Sequence, residues 1–385
     1  MTGHEDETLL PIVSMVAFTV LAAAVFVVLP LLVGAMVDGL GFTAKQAGII
    51  AAADMFGASV SAVGVSVIIP RGNWRFVLIA AISILTIANG ISGLTQHFAP
   101  LCFSRIIAGL GEGALLSVAN AGIAETRNPD RVFGLSNAGQ VAFASPALYL
   151  IPSLLTAYGL RGVFWGFAAL SAAAMSLVRH MPNRARLSGT SMTHTAKHRL
   201  SGPSAIGLAG VFAYFITQGG VWAYLDRMGM ANQIEVANVG KALAISSIAG
   251  LLGASLSSWL NIRYGRLRPL LVATLCTMVS LLILNGNTTF ILFAAMASLF
   301  NFAWNFSVPY QFGALAQIDP SRRTVALGGA VVFAGLTTGP VVAAAIISDS
   351  NLHNVNWMGM GFCVLSFVLF ARLLLPIEQT GVDRP

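Results

Sequence analysis

Residues 253–268 read GASLSSWLNIRYGRLR, and residues 57–61, 196 positions before the start of that stretch, read GASVS. In each copy a run of small residues sits inside an apolar segment and a short basic loop follows, Arg71 to Arg75 in the first and Arg263 to Arg268 in the second. Small side chains let helices approach closely in lipid, so each copy reads as a tightly packed helix ending at a charged membrane face. A packing coincidence is the alternative, but a polar stretch in the middle of the chain favours internal duplication.

The rest of the 385-residue chain has the composition such a reading needs. It is 56% hydrophobic and 9% charged, against about 25% charged in a soluble domain. So little charge cannot cover a folded surface in water, and disordered chains are rich in charge rather than poor in it. Hydrocarbon is the remaining solvent, and a helix crossing it needs about 20 apolar residues. Apolar runs fall near 11–37, 44–69, 75–96, 99–122, 133–157, 161–181, 205–226, 238–260, 268–286, 289–315, 324–348 and 355–375, twelve in all. The polar stretch between Pro182 and Pro203 reads as a cytoplasmic linker. The fold class is therefore an all-α polytopic membrane protein, with twelve transmembrane helices in two pseudo-symmetric six-helix bundles. The expected divisions are 1–181, 182–203 and 204–385.

The net charge of +7 would suggest nucleic acid in a soluble protein. In a membrane protein it reports orientation, because cytoplasmic loops collect Lys and Arg. Arg71, Arg75, Arg127, Arg131, Arg179, Arg184, Arg186, Lys197, Arg199, Arg263, Arg266, Arg268, Arg322, Arg323, Arg372 and Arg384 fall on one face. The other face has Lys45, Arg161, Arg227 and Lys241. Both termini are thus expected in the cytoplasm, with the chain in a bacterial-type plasma (inner) membrane. Glu5, Asp6 and Glu7 replace the basic start of a signal peptide, so the first span is expected to be retained. Cys102, Cys276 and Cys363 stand apart in apolar runs and suggest neither disulfide nor zinc.

With these features the chain resembles the major facilitator superfamily of secondary transporters over essentially its whole length. The loop after the second span of that family reads like G-x-x-x-D-R-x-G-R-[RK]. Here the second copy has Arg263, Tyr264, Gly265, Arg266, Leu267 and Arg268, with Ile262 in the acid's place. The first has Arg71, Gly72, Asn73, Trp74 and Arg75. Span 4, from Arg105 through Gly109 and Gly111 to Glu112 and Gly113, is similar to the R-x-x-x-G-x-G segment of proton-coupled members. Its Arg-to-Glu spacing resembles that of organic-anion symporters and Spinster-like lipid transporters. Gly335, Gly339 and Pro340 in span 11 resemble the family's G-x-x-x-G-P hinge, whereas span 5 has only Ala144, Ser145 and Pro146. The resemblance implies gating roles for Arg263, Gly265, Arg266, Gly335, Gly339 and Pro340, and a central cavity lined by spans 1, 4, 7 and 10.

Ionisable residues at membrane depth are costly and mark function; by span position Asp54, Arg105 and Glu112 qualify. Arg105 and Glu112 lie two turns apart on one face of span 4, with Gly109 leaving a gap between them. Asp54 sits near the middle of span 2. A carboxylate there is a candidate for proton exchange, and Arg105 could hold it ionised or bind an anionic substrate bidentately. A fixed ion pair that merely holds helices together is the competing reading for Arg105 and Glu112. For Asp54 it is a bond to a neighbour's backbone. In the second half Tyr214, Gln218 and Trp222 recur every four residues on span 7, and Asn301, Trp304 and Asn305 cluster on span 10, continued by Tyr310 and Gln311. Aromatic walls with a few amides suit a small-molecule site, and Phe18 and Phe26 could add apolar wall. Interfacial anchoring and helix–helix bonding are the alternatives.

Other patterns point nowhere specific. His194 and His198 have ligand spacing in a solvated loop, and the Met228/Met230 and Met358/Met360 pairs suit packing better than copper. No phosphate-binding loop is present. We expect a non-enzymatic transporter in the lipid bilayer, without cofactor or metal, acting as a monomer. It would move a small anionic or amphipathic solute by alternating access, with protons as the coupling ion. Efflux of drugs or lysolipid-like compounds, and a non-transporting receptor, are the alternatives.

Overall fold

The computed structural model describes residues 9–68, 73–183, 201–319, 323–347 and 352–379. Arg71, Arg322, Arg384, the acidic N-terminus, His194, His198 and most of the expected linker lie outside them. The described residues form α1 (Leu9–Val27), α2 (Leu29–Leu40), α3 (Ala44–Ile68), α4 (Trp74–Leu94), α5 (Phe98–Ala124) and α6 (Pro129–Ala174). They continue with α7 (Gly202–Ala231), α8 (Val236–Leu260), α9 (Leu267–Leu284), α10 (Phe290–Ile318), α11 (Arg323–Ile346) and α12 (His353–Gln379). Side-chain caps start several of them: Asn73 accepts from the Arg75 and Phe76 amides, Ser201 from Ser204 and Thr289 from Leu292.

Among the described residues eleven helices are long and apolar enough to cross a membrane. The correspondence with twelve spans rests on two local features. Span 1 is broken at Val28, ahead of Pro30, which has no amide hydrogen to continue the helix, so α1 and α2 share one crossing. Conversely α6 has 46 residues, about twice one crossing, and changes direction at Gly159, whose φ of 64° and ψ of −172° are non-helical. The loop expected between spans 5 and 6 is reduced to that one residue. Span 7 is longer than expected: α7 runs on to Ala231 rather than stopping at the charged pair Asp226 and Arg227. Large apolar side chains such as Phe76, Phe103, Trp259 and Ile291 are each at least 64% exposed and form the lipid-facing surface.

The two halves repeat one packing contact. A β-carbon added to Gly57 would collide with the Ile106 carbonyl of α5, and one added to Gly253 would collide with the Phe302 carbonyl of α10. Both members of each pair are shifted by the same 196 residues. Between the halves, α3 meets α11, with Ser59 Oγ 3.2 Å from Thr337 Oγ1. On the other side α6 meets α8, where Gly240 touches the Leu148 carbonyl and Pro152.

The apolar core explains which end is shut. One cluster joins both halves at the end remote from the termini, with Leu32, Met36, Phe164, Tyr224, Leu243 and Phe293 among its members. Nearer the termini there are two clusters, one around Phe18, Trp74 and Val118 and one around Val211, Phe306 and Phe370. The first belongs to one half and the second almost wholly to the other. The bundle is thus sealed at its terminus-distal end and divided at the other.

Candidate functional site

Asp54, Arg105 and Glu112, the three membrane-depth charges of the sequence, meet inside the first half. Gly109 lets α5 approach α3 so closely that a β-carbon there would strike the Asp54 carbonyl. That approach brings the Asp54 carboxylate to Arg105: Nη2 donates to Oδ1 at 2.7 Å and to Glu112 Oε1 at 3.4 Å. The other terminal nitrogen donates to Asn89 Oδ1 of α4 at 2.7 Å. The guanidinium also lies over the Phe164 ring of α6, 5.2 Å from its centroid, a cation–π contact. All three charged residues are 1–2% exposed. Asp54 Oδ2 and Glu112 Oε2 have no hydrogen-bond partner among the described residues. A cleft of about 10 Å³ beneath the α1–α2 break, lined by Leu29, Leu32, Met36, Asp54, Arg105 and Phe164 among others, adjoins the network. It has room for a water at most. Asn89 and Phe164 carry no sequence signal, since their role depends on which helices are neighbours.

A separate cavity of about 460 Å³ lies between the halves, within the usual range for small-molecule sites. Trp304 organises its aromatic wall, with its ring centroid 6.1 Å from Phe26, 6.4 Å from Phe215, 6.4 Å from Trp222 and 6.3 Å from Phe300, all edge to face. Trp222 Nε1 donates to the Phe26 carbonyl at 3.0 Å, fixing the ring across the seam. Asn301, Asn305 and Ser247 line one side, and Asn137 and Gln140 of α6 line the other. Asn305 Nδ2 donates to Asn301 Oδ1 at 3.0 Å, and Asn301 Nδ2 to Ser246 Oγ at 3.3 Å. No ionisable residue is among the described residues that line this cavity.

Pseudo-symmetry accounts for the contrast between cavity and charge network. Shifted by 196 residues, Asp54 becomes Gly250, Arg105 becomes Asn301 and Gly109 becomes Asn305. Gly250 and the two asparagines are in contact range, as Asp54, Arg105 and Gly109 are in the first half. A carboxylate–guanidinium pair fills the first-half position, and space walled by amides takes the equivalent place in the second.

Of the predicted substrate residues, Trp222, Asn301, Trp304 and Asn305 line the cavity, and Phe26 joins them. Tyr214 and Gln218 lie behind the wall. The Tyr214 hydroxyl donates to the Ala303 carbonyl at 3.4 Å, and Gln218 is fully buried with neither amide atom partnered among the described residues. Tyr310 and Gln311 bond within the second half to the Ser257 carbonyl and Ser307 Oγ. Arg105 does not reach the cavity, because Asp54, Asn89 and Glu112 hold its guanidinium in the first-half interior. Phe18 is also buried there. Asn137 and Gln140 are cavity residues that the sequence reading leaves out, although two amides three residues apart in an otherwise apolar run are a readable sign.

The predicted gating residues lie within the second half. Arg263 stacks over the Trp259 ring at 5.8 Å, Gly265 has φ of 69°, and Arg266 Nη1 donates to Gln317 Oε1 at 2.8 Å. Gly335 and Gly339 set α11 directly against the α7 backbone at Phe212, Ile216 and Gly220, and Pro340 follows inside α11. Among the described residues no three His, Cys, Asp or Glu side chains converge as a metal site.

Comparison with known proteins agrees with this architecture. The model of the Major Facilitator Superfamily matches residues 14–318. A protein named "Probable 4-methylmuconolactone transporter" from Cupriavidus pinatubonensis (strain JMP 134 / LMG 1197) is 22% identical over 369 residues, covering 89% of this chain and 84% of the relative. The crystal structure of the nucleoside transporter NupG superposes with a TM-score of 0.72 at 14% identity, covering 94% of this chain and 98% of that one. An inward-facing, unoccupied bacterial homologue of the human lysosomal transporter Spinster gives 0.72 at 16% identity over 100% of this chain and 99% of that one.

Proposed function

The chain belongs to the major facilitator superfamily, and on that premise we propose that it is a proton-coupled secondary transporter whose substrate occupies the cavity around Trp304. The observation that carries this reading is the coexistence of two separate sites, an uncharged cavity between the halves and a buried charge network inside one of them. Rocking of the halves about a midplane site is how such folds alternate access. The basic residues at the open, terminus-bearing end support a cytoplasmic position for that end, in a bacterial-type inner membrane. The protein works as a monomer, since each chain contains both halves and the cavity between them.

One guanidinium balances one carboxylate, so the buried trio of Arg105, Asp54 and Glu112 is neutral when it holds a single proton. Loss of that proton leaves an unbalanced charge in low dielectric, which burial penalises heavily. The proton therefore tracks the trio's access to water, which is the requirement for coupling. In proteoliposomes an inward pH gradient should drive substrate accumulation. Glu112→Gln and Asp54→Asn should each abolish the gradient dependence while substrate exchange persists. Gradient-driven accumulation unchanged in both variants would overturn the coupling assignment.

The wall favours an amphipathic over an anionic substrate, because amides and indoles face it and Arg105 does not. The named relatives are, by their names, a probable transporter of 4-methylmuconolactone and a transporter of nucleosides, and both solutes are built on a compact ring. A ring of that kind can lie against Trp304 and Trp222 while Asn301, Asn305, Asn137 and Gln140 meet its polar edge. Trp304→Ala should raise KM by about fivefold, since an edge-to-face aromatic contact is worth about 1 kcal/mol beyond its area burial and about 1.4 kcal/mol corresponds to tenfold. Flux assays on lactones, nucleosides, sugars, organic anions, drugs and lysolipids identify the class. Export of lysolipids or drugs alone would establish efflux instead, and ligand-induced stabilisation without flux would establish a receptor.

A further inference from the structure

The distal end of α7 holds a carboxylate that the trio does not use. Asp226 is 2% exposed and faces α2 across the seam between the halves. Gly34 leaves room for it, for a β-carbon there would collide with Asp226 Oδ2. Its Oδ1 has no hydrogen-bond partner among the described residues.

The cation next to it in sequence is committed elsewhere. Arg227 Nη1 donates to both carboxylate oxygens of Asp38 on α2, at 2.8 and 2.7 Å, at a rim where the two side chains are 21% and 49% exposed. Among the described residues, Arg227 and Asp38 are the charged groups whose fields reach Asp226. The α2 surface against it is bare backbone at Gly34. At the start of α3 the Tyr224 hydroxyl donates to the Ala44 carbonyl at 2.9 Å, and Lys45 beside it is solvent-exposed. Trp222, Tyr224 and Arg227 thus cross the seam to satisfied partners, while Asp226 Oδ1 crosses it to none among the described residues.

We infer that Asp226 is a second proton-binding site, in the opposite half from the trio, and that the distal seam closes on its protonated form. An ionised carboxylate with an unpartnered oxygen is strongly disfavoured in a closed seam, and a neutral one much less so. When the halves part at this end Asp226 meets water and its charge is no longer penalised. Closing therefore takes one proton onto the carboxylate from the compartment that this end faces, and opening returns it there, with no other bond changed. Acid favours the closed seam and alkali the open one. One linked proton changes the closed-to-open ratio by up to about tenfold per pH unit. The inference uses the rocking motion proposed above but neither its substrate nor its trio.

Spin labels on His97 and Ala237, either side of the distal seam, test it in lipid nanodiscs, with Cys102, Cys276 and Cys363 replaced by alanine. Electron–electron distance distributions should shift from short to long between acid and alkaline pH. Asp226→Asn should keep the short distance throughout, whereas Glu112→Gln should leave the shift in place. Gly34→Ala, whose β-carbon would push on the end of the Asp226 side chain, should shift the distribution toward the long distance at each pH, and Asp226→Ala added to it should restore closure. A wild-type distribution that ignores pH overturns the inference. So does an Asp226→Asn variant that titrates like wild type, or a Gly34→Ala defect that Asp226→Ala fails to relieve.

Discussion

Arg105→Ala is expected to lower stability by about 3–5 kcal/mol, the usual consequence of leaving a buried charge without its partner, and to abolish transport. Two carboxylates would remain in an interior where neither is more than 2% exposed. The Asn89 amide would lose its donor, and the Phe164 ring its cation. Arg105→Lys should recover part of the stability and little of the coupling. An ammonium is a point donor and cannot span Asn89, Asp54 and Glu112 as a planar fork does. Removing the stranded charge should help: Arg105→Ala combined with Asp54→Asn is expected to unfold at a higher apparent temperature than Arg105→Ala alone. Fluorescence-monitored thermal unfolding in detergent checks the order. An Arg105→Ala protein as stable as wild type would show that the trio is not held by its charges.

That network is largely legible in the sequence because hydrocarbon makes each charge conspicuous, and two turns of helix place Arg105 and Glu112 on one face. Its supports are not. Asn89 and Phe164 belong to α4 and α6, and nothing local to either residue says that it faces Arg105. Charges near span ends mislead in a different way. Asp226 and Arg227 terminate an apolar window, so they read as a helix end at a membrane face. The helix instead continues to Ala231, carrying one of the pair into the seam and the other to Asp38. The break at Val28 has a sign in Pro30, but the uniformly apolar run around it hides the interruption. Its consequence is mechanical: α2, freed from α1 at the break, covers the cleft beside Asp54 and Arg105 and meets both Asp226 and Arg227. One short helix thus lies against both proposed proton sites.

The duplicated glycines are expected to give the second large effect, and one that separates the two halves. Gly57 and Gly253 occupy equivalent crossings, where a β-carbon would strike the Ile106 and Phe302 carbonyls. Backbone cannot rotate away as a side chain can, so the crossing helices must move apart. Overpacking of this kind costs about 1–3 kcal/mol, and Gly57→Ala and Gly253→Ala should therefore destabilise to similar extents. Gly90→Ala and Gly361→Ala, where nothing lies within 4 Å, should leave stability unchanged or raise it by up to about 1 kcal/mol. The functional losses should differ. Parting α3 from α5 lengthens the 2.7 Å contact between Asp54 and Arg105, so Gly57→Ala should lose pH-gradient dependence before it loses substrate exchange. Parting α8 from α10 displaces Asn301 and Asn305 from Gly250 and Ser247, so Gly253→Ala should raise KM while the remaining flux stays gradient-dependent. Paired measurements of exchange and gradient-driven uptake discriminate these outcomes. If both variants lose coupling and affinity together, the division of labour between a charged half and a cavity-bearing half is wrong, however similar their destabilisation.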